Sequence, residues 1–234
     1  MNNTHLLHSA KYAFVATVLV LALIVSTFFT FEPSVGRSAV ETFEVTQTIT
    51  GAISFMASTS PVVMTPSLDG LTGGTSYGTT TARVRTNNSG GYNMSITFAS
   101  TAPMIRNGGG GTISTFQYSS STATYPSGFT SAGYAQLGFT VNASSTADVS
   151  TVFYNSGSSC GTSVGGSFTS STCWRGASST NAATPTQLIN RTTPTPASGS
   201  TSTVQFRITI PNNPSPAVPD GNYTATATLT ATDN

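Results

Sequence analysis

From residue 41 onward, apolar and polar residues alternate with a period of two, the signature of strands that bury one face. In ETFEVTQTITGAISF (41–55), Phe43, Val45, Ile49, Ile53 and Phe55 share one parity, with Thr and Glu mostly between them. This predicts one long strand, or two strands divided near Gly51. PVVM (61–64) predicts a short edge piece, followed by a loop rich in turn formers. Ala82 and Val84 then alternate with Arg83 and Arg85. After the cluster TNNSGG (86–91), Tyr92, Met94, Ile96 and Phe98 point one way while Asn93, Ser95 and Thr97 point the other. The pattern predicts a β-hairpin whose corner, 87–91, supplies positive-φ positions.

Further on, four consecutive glycines (108–111) open a loop before a strand near 112–118. Leu137, Phe139 and Val141 are in phase within AQLGFTVNA (135–143). TVFYN (151–155) and TQLINRT (186–192) predict short strands, and TPTPASG (193–199) predicts a connector. Val204, Phe206, Ile208 and Ile210 alternate again, as do Tyr223, Ala225, Ala227, Leu229 and Ala231 after a Pro-rich turn. No amphipathic helix pattern follows residue 31. Roughly nine to eleven short strands with one apolar face each predict an all-β fold. The expected form is an immunoglobulin-like or jelly-roll-like two-sheet β-sandwich, preceded by an N-terminal apolar helix. Residues 40–234 read as a single domain with long loops at 101–135 and 156–181.

The N-terminal segment has a different character. Lys11 is followed by twenty uncharged residues, 12–31. A basic start and an apolar stretch make residues 1–39 a secretory signal peptide, cut after Gly36 or Ala39, or a retained membrane anchor. Either places the remainder outside the cell or in its envelope. Cys160 and Cys173, separated by twelve mostly small residues, are expected to form one disulfide, as exported chains allow. Closing a loop of that size contributes about 3 kcal/mol in the chain-entropy model. Trp174 beside the second cysteine either packs over this bridge or stacks on a sugar.

Composition narrows the chemistry. Ser and Thr make up about a third of the chain and only 6% of residues are charged. Beyond residue 40, six Arg face six acids, so there is no basic surface for nucleic acid or for an anionic membrane. Membrane contact is expected only through the N-terminal segment, if uncleaved. His5, His8 and Lys11 all lie in that segment. Ser–His–Asp, Cys–His and Ser–Lys arrangements are therefore excluded from the exported part. Its acids are scattered among turns and termini, zinc lacks a ligand set, and Asp148 or Asp220 with backbone carbonyls offers at most a weak calcium site. No catalytic residue, no metal and no cofactor is expected. N-x-S/T sequons begin at Asn87, Asn93, Asn142, Asn190 and Asn222, candidate glycan carriers only where the host modifies such sites.

Three stretches carry a family resemblance: FEVTQTITGAISF, the pair ARVRTNN and GYNMSITF, and the closing DGNYTATATLTATDN. Their order and pattern resemble secreted pilin-like sandwiches, the spore coat protein U family and the chaperone–usher pilins. The chain is also similar to uncharacterised secreted Ser/Thr-rich bacterial surface proteins. The resemblance implies an immunoglobulin-like sandwich used as a surface or appendage building block. It also implies that an N-terminal strand, here 41–50 with Phe43, Val45 and Ile49, completes the sheet of a neighbour. The early cysteine of those families is missing, so their disulfide does not carry over.

Two roles follow. The first is a non-enzymatic structural protein of the cell surface or an appendage, with itself or other surface proteins as partner. The alternative is an adhesin that recognises glycan or protein through loop aromatics, with Trp174, Tyr118, Tyr125 and Phe129 as candidate contacts.

Overall fold

The computed structural model describes residues 3–30, 41–57, 59–116, 133–154, 160, 173–177 and 185–234. The chain forms two compact units, one up to Thr48 and one from Ile49 to Asn234. The first contains helix α1 (Asn3–Thr30), whose apolar stretch Ala10–Thr27 is long enough to cross a membrane and is not buried. An apolar helix with no protein cover is consistent with a signal sequence. Residues 41–52 follow without regular secondary structure, so the strand expected from residue 43 begins only at Ile53.

The second unit is mostly β, with two sheets. Its strands are β1 (Ile53–Ala57), β2 (Gly74–Thr86), β3 (Tyr92–Phe98), β4 (Met104–Arg106), β5 (Thr112–Thr115), β6 (Gln136–Ala143), β7 (Arg175–Gly176), β8 (Thr186–Arg191), β9 (Ser200–Ile210), β10 (Tyr223–Thr224) and β11 (Ala227–Asp233). The larger sheet is a curled half-barrel in the order β1-β2-β9-β6-β5-β4-β10, with β7 also on β6. The smaller has the order β11-β3-β8. Their inner faces share one core. Val84, Phe139, Val141, Val204 and Phe206 come from the large sheet, and Tyr92, Met94, Ile96 and Phe98 from the small one. Phe98 bridges the two, its ring 5.5 Å from Phe139 and 6.5 Å, edge-on, from Phe206. Such pairs add about 1 kcal/mol each beyond the area they bury.

The expected hairpin at 82–98 is not one. β2 pairs with β1 and β9, while β3 pairs with β11 and β8. Residues 87–91 form an arch that carries the chain from one sheet to the other. Alternation sends Ala82 and Val84, like Met94 and Ile96, into the core, but it is blind to whether two such strands lie side by side or face to face. Hydrogen bonding explains the crossing. Asn87 accepts from Ala52 N–H at 2.7 Å and donates to Thr50 C=O at 3.1 Å, holding one side of the arch to the start of β1. Asn88 donates to the Asn234 carbonyl at 3.0 Å on the other side. The run expected from Tyr223 to Ala231 divides likewise: β10 pairs with β4 in the large sheet and β11 with β3 in the small one. TVFYN is not a strand either; Thr151–Phe153 is a 3-10 turn that buries Phe153 in the core.

Gly91 makes the arch possible. Its φ of 77° lies in the left-handed region, and a Cβ there would collide with the Arg191 carbonyl oxygen. Gly91→Ala is expected to destabilise the protein by about 2 kcal/mol or more, from backbone strain plus the clash. Ser89→Ala, at an exposed position of the same arch, should stay within about 0.5 kcal/mol. Urea unfolding of both variants measures the difference.

Candidate functional site

The outer face of the large sheet gathers the aromatic and cationic side chains. Tyr77 on β2, Arg207 on β9 and Gly138 on β6 stand in register across three strands. Beside β6, two short strands follow one another along the same edge: β5 pairs with Gln136 and Leu137, and β7 with Gly138 and Phe139. Phe116, just after β5, and Trp174, just before β7, come together where these strands meet. Both are buried, and Trp174 is only 2% exposed. Its ring centroid lies 6.3 Å from that of Tyr77. Alternation along 173–175 sends Cys173 into the main core and Trp174 to the opposite face, so the indole packs with Phe116 rather than over the bridge.

Arg207 is part of this second cluster. Its guanidinium carbon lies 5.8 Å from the centroid of the Tyr77 ring, and Nε donates to Thr209 Oγ1 at 3.1 Å. Burial lowers its ionisation range, yet arginine keeps its charge, and the face of the tyrosine ring is a fitting neighbour for a cation. Gln136, Gly138 and Thr140, which alternation alone marks as wet, are buried on this same face. Both faces of β6 are covered.

Cys160 and Cys173 form the expected disulfide, with Cα atoms 5.8 Å apart. Tyr118, Tyr125 and Phe129 lie outside the described residues. Phe43, Val45 and Ile49 are 84%, 82% and 82% exposed. The sequon asparagines differ in their freedom. Asn87 is engaged in the arch, Asn93 sits between Gln187 and Asn234, and Asn142 accepts from the neighbouring Ala143 N–H. Asn190 and Asn222 are exposed.

The carboxylates have structural employment. Asp148 receives Arg191 Nη1 at 2.6 Å, and both side chains are largely buried. This pair joins the 3-10 turn Thr146–Asp148 to the end of β8. Asp220 lies 3.9 Å from Arg106. Asp69 caps its own turn, accepting from Leu71 and Thr72 N–H, which lowers its carboxyl below the ordinary range. No group of three or more His, Cys, Asp or Glu is placed to hold a metal among the described residues.

What sequence reasoning missed is a polar pocket inside the core. Tyr92, fully buried, points its hydroxyl toward Ser200 and Ser202 on β9, both also buried. The even positions of β9 are inward, so the two serines could have been marked as core from their phase with Val204 and Phe206. Burial pushes the Tyr92 phenol above its ordinary value of 10.0, with the two serine hydroxyls opposing the shift. The unfolded chain then releases this proton at lower pH than the folded one. Stability from this group is complete below pH 10 and falls as pH rises through the ordinary tyrosine range. Denaturant unfolding at pH 8 and pH 11 should show a smaller alkaline loss for Tyr92→Phe than for the unsubstituted protein.

No family model matches this chain, and no curated protein matches it in sequence.

Proposed function

We propose that this chain is an exported, non-enzymatic structural protein of the cell surface or of an appendage. Its β unit would be an immunoglobulin-like or jelly-roll-like sandwich, and residues 41–50 would add as a strand to a neighbouring copy. The observation that carries this reading is the segment itself. Phe43, Val45 and Ile49 share one parity and lie almost wholly in solvent. Burying each fully would contribute about 1.5–3 kcal/mol, a gain that a neighbour's sheet edge can provide.

The apolar helix and the disulfide support export. Whether removed after targeting or kept as an anchor, the helix delivers the β unit to the same side of the membrane. The burial of Trp174 favours a structural role over adhesion, because its indole already serves in packing. Tyr77, 39% exposed beside Arg207, is the observation that favours the adhesin alternative.

Replacing Phe43, Val45 and Ile49 together by Asn tests the proposal. Electron microscopy of the exported protein should show filaments for the unsubstituted chain and none for the variant. The urea midpoint should be nearly unchanged, since these side chains contribute no burial of their own. Filaments that survive the triple substitution would remove strand addition by this segment.

A further inference from the structure

Among the described residues, the edge strands differ in how they are protected. β10 is two residues long, and β1 is short and carries an irregularity between Phe55 and Ala57. β8 is covered along its free side, where Ser150 N–H donates to Leu188 C=O and Val149 bridges Ile189. Short length, bulges and cover are the usual guards of a sheet edge. β11 is longer and has no bulge, and although β1 comes near it, no described strand pairs with its free side. It runs seven residues in unbroken register with β3 and contains no proline and no lysine. Its single charge, Asp233, already accepts from Thr86 Oγ1 at 2.9 Å.

The free side of β11 is also oriented. Ala99 N–H donates to Thr226 C=O, and Asn234 N–H to Gly91 C=O, so the even residues 226–234 direct their backbone groups to β3. In an antiparallel ladder the odd residues, Ala227, Leu229, Ala231 and Asp233, then direct theirs outward. Leu229 and Ala231 face the core side yet remain partly exposed, while Thr228, Thr230 and Thr232 are exposed on the outer face.

We propose that β11 pairs antiparallel with β11 of a second copy about a two-fold axis at Thr230. This register uses all seven residues and is self-complementary. Leu229 lies beside the partner's Ala231, and Thr228 beside the partner's Thr232. Thr230 meets the partner's Thr230, a pairing that threonine hydroxyls favour. Each Asp233 falls opposite the partner's Ala227, which keeps the two carboxylates at opposite ends. The two small sheets merge into one of six strands, with an isologous interface that closes on itself. The contact is separate from the strand addition proposed for residues 41–50 and does not require it.

Cysteine trapping in the full exported chain tests the register. At the two-fold axis, Thr230 and the partner's Thr230 form a non-hydrogen-bonded pair with Cα atoms about 4.5 Å apart, within disulfide reach. T230C should give a disulfide-linked dimer as the main species under mild oxidation. T228C alone should stay at background, because its twin lies about 13 Å away along the strands, whereas T228C/T232C should cross-link. A231P removes an outward N–H without touching the β3 ladder and should reduce T230C cross-linking at least tenfold. Deleting residues 41–50 should leave it intact. The proposal is overturned if T230C and T228C/T232C both remain monomeric while the Cys160–Cys173 bridge is formed. It is equally overturned if T228C cross-links as well as T230C. Loss of the T230C dimer on deleting 41–50 would assign the β11 edge to that segment instead.

Discussion

The fold depends on one constraint: the apolar parity of β3 must face the apolar parities of β2, β9 and β6 across a single core. Phe98 against Phe139 and Phe206 is where that requirement is met most directly. Apart from β6, the strands rely on one dry face each, so neither sheet could persist without the other. The arch at 87–91 is the connection that brings the second face over the first. Around it the chain concentrates its polar precision. Asn87 holds the approach to β1, Asn88 holds the last residue, and Asn234 donates back to the Gly90 and Arg191 carbonyls. Asparagine and glycine, which look like turn filler, here tie three parts of the sequence to one corner.

Much of this organisation was legible from alternation. The inward sets Tyr92–Phe98, Leu137–Val141 and Val204–Ile210 are all buried as their phase implies. Sheet membership was not legible, because a period of two fixes which side of a strand is dry but not which strand lies beside it. The arch between β2 and β3 and the division of 223–233 between two sheets both fall in that blind spot. Trp174 illustrates a second limit. Its position beside Cys173 suggested a shared environment, yet neighbours on a strand point to opposite faces, and the indole joined Phe116 instead. Burial of Gln136 and Thr140 was likewise invisible, since polar residues on a strand signal water unless something covers them. The segment 41–50 shows the opposite case: its pattern is that of a strand, but it forms no strand among the described residues.

The surface that remains is neutral, rich in hydroxyls and amides, and poor in groups that titrate near neutrality. Its carboxylates at Asp69, Asp148, Asp220 and Asp233 are held by turns, arginines or a threonine. Among the described residues, two strand-like stretches are left open to further pairing: the apolar alternation before β1 and the free edge of β11. Between them they carry the reading of the protein as a building block.

Hydrogen–deuterium exchange of the exported protein, measured in dilute and in concentrated solution, tests that reading most directly. Backbone amides become protected when a strand gains a partner. The account predicts that concentration slows exchange in 43–49 and at the outward amides of Leu229, Ala231 and Asp233, while core strands such as β9 stay unchanged. Exchange in both segments that is fast and independent of concentration would contradict it.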